Sequence, residues 1–307
     1  MDLVVRCRRA PEPGETILGD DLATFPGGKG ANQAVAAARL GAQVHMIGRV
    51  GNDPFGRSMR ARLATSGVNI RFVKTSEIHA TGTATILVLD GGENSIVISP
   101  GANARVEPPD IDAAIDVIRK ADFVLLQLEI PLPTVRYAIH VCRELGVRTI
   151  LDPAPAPLGF PLSLCDANLV TPNETEAMTL LNSSKHLDAK VAMKRLLSAG
   201  VETAVLKLGA RGAMLGSSEE SAREPGFKVK VVDTTAAGDC FNAALAVALS
   251  EGITARNALR FANAAGALAC TKLGAQASLP TRAEVDRFLK KSRPMAIRRL
   301  SSVNNKS

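Results

Sequence analysis

Between about residues 120 and 210 the chain repeats one pattern: a short apolar run without polar alternation, a helix-spaced stretch, then another apolar run. Phe123–Gln127 is such a run; Pro133–Leu145 follows at helical spacing and stops at Gly146, and Val147–Leu151 is apolar again. Leu169–Val170 leads into Asn173–Leu181, Ala189–Ala199 ends at Gly200, and Thr203–Leu208 is apolar and β-branched. A strand with one wet face alternates polar and apolar residues, so a strand that does not alternate is covered on both faces. Such strands, separated by helices, predict an α/β domain with a mostly parallel central sheet flanked by helices. Further on, Val229–Val232 reads as a strand, and Asp233–Asp239 opens an apolar helix through Phe241, Leu245 and Leu249. A second Ala-rich helix spans about Ala255–Thr271.

The N-terminal third reads differently. Leu3–Arg9, Thr16–Phe25, Thr81–Leu89 and Asn94–Ser99 look like strands, the last two joined by the hairpin signal Asp90-Gly91-Gly92. Helices at Ala31–Leu40 and about Pro54–Ser66 interrupt them. Four strands outside the parallel series predict a small separate sheet. The expected organisation is one domain, 1–292, carrying a lid built from strands within about 2–25 and 81–99.

The chain has 307 residues, 46% of them hydrophobic, enough for one large core. Aromatics are only 3%, which argues against single-stranded nucleic-acid binding by base stacking. The net charge of +7 is concentrated at one end: Lys290, Lys291, Arg293, Arg298, Arg299 and Lys306 occur there with no acid among them. A solvated, disordered tail over 293–307 is expected, not a nucleic-acid or membrane patch. Five scattered cysteines without a C-x-x-C pair fit a reducing compartment and no zinc site. There is no secretory h-region and no stretch long enough to span a bilayer. A cytoplasmic protein is expected.

Three segments carry chemistry. In Val231-Val-Asp-Thr-Thr-Ala-Ala-Gly-Asp-Cys-Phe-Asn242 a strand gives way to small residues and then to a helix starting at about Gly238. Unpaired N–H groups and the positive end of the helix dipole make an anion hole there, and Ala236, Ala237 and Gly238 let a phosphate approach. Asp239 would repel a resting phosphate. It makes sense as a base that takes the proton of an attacking hydroxyl while the amides hold the migrating phosphoryl group, or simply as a helix cap. Pro26-Gly-Gly-Lys-Gly-Ala-Asn-Gln33 runs into a helix but is not a Walker A loop, since no Ser or Thr follows Lys29. It suits a polyhydroxylated or anionic ligand, or is a Gly-rich turn. In Thr171-Pro-Asn-Glu-Thr-Glu176, Asn173 and Glu176 share a helix face, fit either for Mg²⁺ held through water or for a capping box.

Together with Pro13-Gly-Glu-Thr16, Gly101-Ala-Asn103, Gln127-Leu-Glu129, Pro153-Ala-Pro155, Leu208-Gly-Ala-Arg-Gly212 and Gly274-Ala-Gln276, these segments resemble the ribokinase family along essentially the whole chain. The resemblance implies a three-layer fold with a β lid that often forms a homodimer contact. It implies ATP-dependent phosphorylation of D-ribose at its 5-hydroxyl, with Asp239 as base and Ala236, Ala237 and Gly238 as anion hole. Asp2, Gly28, Lys29, Asn32 and Glu129 would hold the sugar. Asn173 and Glu176 would face nucleotide and Mg²⁺; Lys207, Leu208, Gly209, Ala210, Arg211, Gly212 and Asn263 would line ATP. Asp233, Thr235, Ala269, Lys272, Gly274 and Ser278 would bind K⁺.

Ala-Ala-Gly-Asp and Gly-Gly-Lys-Gly-Ala-Asn resemble kinases of ribose proper, and scarce Phe and Tyr disfavour an adenosine pocket. Deoxyribose differs by a single hydroxyl. The family begins with a strand ending in Asn-x-Asp, whereas this chain starts at Met1-Asp2. The expectation is therefore a longer natural chain. The rival is a catalytically impaired sugar-binding relative.

Overall fold

The computed structural model describes residues 1–91, 93–156, 164 and 166–292. The basic tail, Gly92 of the hairpin signal and Cys165 lie outside the described residues. The strands in the first half are β1 (Asp2–Cys7), β2 (Ala23–Phe25), β3 (Val44–Gly51), β4 (Val68–Ser76), β5 (Thr83–Leu89) and β6 (Asn94–Ser99). Those in the second half are β7 (Phe123–Leu126), β8 (Arg148–Leu151), β9 (Leu169–Val170), β10 (Thr203–Lys207), β11 (Ala213–Gly216) and β12 (Ser221–Glu224). The helices begin with α1 (Lys29–Arg39), α2 (Pro54–Thr65), α3 (Pro108–Asp112), α4 (Ile115–Ile118), α5 (Leu132–Glu144) and α6 (Glu174–Leu180). They continue with α7 (Ala189–Ser198), α8 (Ala237–Ser250), α9 (Ala255–Ala269), α10 (Ala275–Ser278) and α11 (Arg282–Lys291).

The order β12-β11-β10-β9-β8-β7 forms one six-stranded sheet, parallel from β7 to β10 and closed by an antiparallel edge. Successive side chains of a strand point to opposite faces. Ile150, Leu169 and Val205 accordingly join a core with α1, α8 and α9, while Leu151, Val170, Ala204 and Leu206 join a second core with α5, α6 and α7. Both faces are dry. That is why these runs show no polar alternation.

The four N-terminal strands expected to stand apart form one sheet of order β2-β1-β5-β6. The second is shorter than the run Thr16–Phe25 predicts: only Ala23–Phe25 pairs, opposite Asp2–Val4. Residues 18–22 include Gly19, Asp20 and Asp21, poor strand formers, and Leu18 is left exposed.

Two further corrections concern strands. Val229–Val232 enters no ladder; Val231 and Val232 are exposed, and the chain is held by Val232 N–H donating to Cys270 O at 2.8 Å. β3 and β4, which the apolar pattern does not reveal, form a parallel pair of their own. Among the described residues β3 pairs with β4 alone and β7 with β8 alone, so each keeps one edge without a strand partner. Phe123, Val124 and Leu125 of β7 are correspondingly only half-buried. The Met1 ammonium lies near Glu129, three residues past β7, and Asp53, two past β3.

Candidate active site

The first wall of the site is the start of α1. Gly28 caps the helix at φ +89°, a left-handed backbone that glycine adopts without strain. A Cβ on Gly27 would overlap the Asp2 carboxylate, so the bare backbone lets β1 and α1 meet. Lys29 N–H donates to Glu129 Oε2 at 2.8 Å. One turn on, Asn32 Nδ2 donates to Asp239 Oδ2 at 2.9 Å. Asp2, Gly28, Lys29, Asn32, Glu129 and Asp239, expected to share the sugar, thus converge from β1, α1, the segment after β7, and α8.

The second wall is the N-terminus of α8. Ala236 takes a left-handed conformation at φ +60° and ψ 9°, which turns the chain into the helix. Ala237 N–H donates back to Thr234 O at 3.2 Å, so it is engaged within the turn. Within the expected hole of Ala236, Ala237 and Gly238, Ala236 shapes the turn, and in the first helical turn the amides of Gly238 and Asp239 lack intrahelical acceptors. Gly238 is exposed while Asp239 beneath it is buried. The mouth opens at Gly238.

Burial pushes the Asp239 carboxyl above the usual carboxylate range; Lys29 opposes this, and the charge of Asp152 adds to it. Burial likewise raises Asp2, Glu129 and Glu176. For Lys29 burial alone would lower the ammonium, but Asp239, Asp152, Glu129 and Glu176 outweigh it and hold it above its ordinary value. A base whose pKa is lifted toward neutrality is better matched to taking a hydroxyl proton. Cys240, beside Asp239, is fully buried and its thiol is pushed up, so it packs and does not react.

Three residues to which sequence reasoning assigned no role complete the network. Gln33 Nε2 donates to Asp152 Oδ2 at 2.9 Å and to Asp239 Oδ1 at 3.2 Å, and Gln33 Oε1 accepts from Gln127 Nε2 at 2.6 Å. Asp152 Oδ1 accepts from Lys207 Nζ at 2.7 Å. Gln33 and Gln127 fall inside family-like strings and Asp152 directly precedes one, but nothing local reveals their partners.

At the end expected to face the nucleotide, Asn173 and Glu176 do form the capping box: Glu176 N–H donates to Asn173 Oδ1 at 2.8 Å and Asn173 N–H to Glu176 Oε2 at 2.7 Å. The box also places the Glu176 carboxylate 3.9 Å from Lys207 Nζ. Among the described residues no group of three or more His, Cys, Asp or Glu forms a metal cage. Mg²⁺ needs none, since it is commonly held by one or two carboxylates plus phosphates and waters, and Glu176 fits that part. The segment Lys207–Gly212 turns sharply: Leu208 N–H donates to Gly212 O at 2.8 Å, and a Cβ on Gly212 (φ +90°) would overlap Glu224 O. Gly209, Ala210 and Arg211 are exposed on this turn, with Arg211 paired to Glu174. The Leu208 side chain faces the second core, so only its backbone can line ATP. Asn263 Nδ2 is occupied by Glu224 O at 3.1 Å and Pro225 O at 3.3 Å, which anchors the loop after β12.

Of the expected K⁺ residues, Thr235 and Gly274 meet at Asp233. Its Oδ1 accepts from Thr235 N–H at 2.9 Å and its Oδ2 from Gly274 N–H at 2.8 Å. Burial would raise this carboxyl, but the bonds from Thr235 and Gly274 prevail and hold it low, hence charged. Ser278 Oγ donates to Ala275 O at 2.8 Å. The Lys272 side chain turns away to Glu284 Oε1 at 3.1 Å, and Ala269 is buried, so those two can offer a cation only their carbonyls.

The model for the pfkB family carbohydrate kinases matches residues 1–282. The chain belongs to the pfkB family. Within it, a ribokinase of Bacillus subtilis (strain 168) is 42% identical over 289 residues, 94% of this chain and 96% of that protein. The structure of Arabidopsis thaliana ribokinase complexed with ribose and ATP matches with a TM-score of 0.88 at 34% identity, over 95% of this chain and 96% of that one. Thermotoga maritima ribokinase matches with a TM-score of 0.86 at 38% identity, over 94% and 96%. The three-layer ribokinase-like fold with its β lid is therefore the fold of this pfkB chain. Among the described residues no helix is long and apolar enough to cross a membrane.

Proposed function

We propose that this pfkB kinase moves the γ-phosphoryl group of ATP to the 5-hydroxyl of D-ribose, giving ribose 5-phosphate and ADP in the cytoplasm. The observation that carries this reading is the placement of Asp239, a buried carboxylate with a raised pKa beside the exposed Gly238 at the start of α8. Asn32 at 2.9 Å and Gln33 at 3.2 Å fix its two oxygens, so the carboxylate cannot rotate away from an incoming hydroxyl. Asp2, Gly28, Lys29, Asn32 and Glu129 supply the donors and acceptors a furanose needs. In the reaction the 5-oxygen bonds to the γ-phosphorus, its proton passes to Asp239, and the bond to the β,γ-bridging oxygen breaks with its electrons toward ADP. Amide dipoles at the start of α8 neutralise charge on the migrating group. Mg²⁺, held through Glu176 and waters on the phosphates, would supply further charge neutralisation there.

K⁺ beside Asp233 and Thr235, with backbone oxygens of Ala269, Lys272 and Gly274 and with Ser278, would fix the turn leading into α8. A coupled assay for ADP release across D-ribose, 2-deoxyribose and adenosine tests the whole reading. Ribose-dependent release is expected to require Mg²⁺ and to fall when K⁺ is replaced by a bulky organic cation. Ribose binding in a calorimeter without any ADP release would mark an impaired sugar-binding relative instead.

The lid supports a homodimer. β6 is an edge strand exposed along its whole length, with Ile96, Val97 and Ile98 at 52%, 67% and 52% exposure. An open, apolar sheet edge calls for a partner. Ile98→Glu is expected to shift sedimentation of the full chain from dimer to monomer; identical sedimentation of variant and parent would remove the lid from the interface.

A further inference from the structure

The proposed reaction uses Lys29 on the sugar side, but a second ammonium stands on the phosphate side. Lys207 sits at the end of β10, its side chain largely buried, with Nζ 2.7 Å from Asp152 Oδ1 and 3.9 Å from Glu176 Oε2. Only the first distance is a hydrogen bond. An ammonium carries three N–H donors, so Asp152 fixes its position without using it up. The same Nζ lies 3.7 Å from the place a Cβ would take on Gly238. That spot is the mouth of the α8 anion hole. Five carboxylates, Asp2, Glu129, Asp152, Glu176 and Asp239, crowd this cleft, and a polyphosphate entering it adds more negative charge.

We propose that Lys207 is a second catalytic cation, held by Asp152 against the N-terminus of α8, where it meets the phosphoryl group during transfer. Asp152 is its positioning residue, and Gln33 is the positioning residue for the pair, because its single Nε2 bridges Asp152 and the base Asp239. One amide thus sets the spacing between proton acceptor and phosphoryl clamp, and Gln127 fixes the orientation of that amide. Lys207 neutralises charge on the equatorial oxygens as the bond to the sugar oxygen forms and the bond to ADP breaks. The bland alternative is a structural ion pair that pins β10 to β8.

This inference rests on the kinase reading, and Asp239→Asn measured in parallel keeps the two failures apart. Lys207→Met is expected to lower kcat about 10²-fold, as for loss of one donor to a developing anion, with the KM for ribose within about threefold of the parent. Lys207→Met combined with Asp152→Asn removes both charges of the buried pair. If the pair is only structural, the double variant regains both its melting temperature and its kcat. The expected result is a recovered melting temperature with kcat still depressed about 10²-fold. Lys207→Arg, which keeps the charge, should retain at least about tenfold more kcat than Lys207→Met. Recovery of kcat in the double variant overturns the proposal, as does equal loss in the Arg and Met variants or an effect confined to the KM for ATP. If Asp239→Asn keeps full kcat, the kinase mechanism itself falls.

Discussion

Asp239→Asn is expected to lower kcat for ribose phosphorylation by roughly 10²–10⁴, the usual contribution of a general base. The variant should still fold. Among the described residues Asn32 Oδ1 has no partner, so the Asn32 amide can turn over and accept from the side-chain amide that replaces the Asp239 carboxylate, while Gln33 continues to donate. Stability supplies an independent check. Burial raises the Asp239 pKa, so the folded state binds this proton more tightly than the unfolded chain. The resulting stabilisation is complete below the ordinary carboxylate value and is lost as pH rises through the raised one. At neutral pH the unliganded parent carries that loss and the Asn variant does not. Melting curves from pH 4 to 8 should therefore show the variant gaining on the parent as pH rises. By the same shift, the acid limb of kcat/KM in the parent should lie above the ordinary carboxylate range. An Asn variant with unaltered kcat would sink the mechanism.

What could be read from the sequence was what is contiguous. The string from Asp233 to Asp239 announces its helix because small residues and the helix start are adjacent, and the structure builds that helix from Ala237. The central strands were legible for a similar reason, since a run buried on both faces needs only its own residues to betray it. β3 escaped because His45, Gly48 and Arg49 break its apolar run, and among the described residues it pairs on one side alone. Gln33 and Asp152 escaped because their meaning is in bonds spanning 119 and 206 residues, from Gln33 to Asp152 and to Asp239. A glutamine in a helix offers no local sign of which acid it will bridge. At Leu208 and Asn263 the resemblance names positions but not atoms: their side chains are engaged with the core and with the loop after β12. A motif identifies the position of a backbone; which atoms of it remain free is decided by packing.

Lys29→Met should be the second severe lesion, and it separates electrostatic tuning from mere sugar contact. Lys29 is the leading influence that holds the Asp239 carboxyl down against burial, and it answers four carboxylates at once. Its loss leaves those acids facing one another in a low-dielectric cleft. Truncating one partner of a buried charge set costs about 2–5 kcal/mol, so kcat/KM for ribose should drop roughly 10²–10⁴-fold. If Lys29 only grips the sugar, that drop is uniform with pH. If it also tunes the base, Asp239 rises further and the acid limb of the profile moves to higher pH. Stability should follow with the same sign: the variant melts below the parent at neutral pH and recovers toward it as acid protonates Glu129, Glu176 and Asp239, whose folded-state pKa values are already raised. An acid limb that stays in place would restrict Lys29 to binding and leave burial as the cause of the poised base.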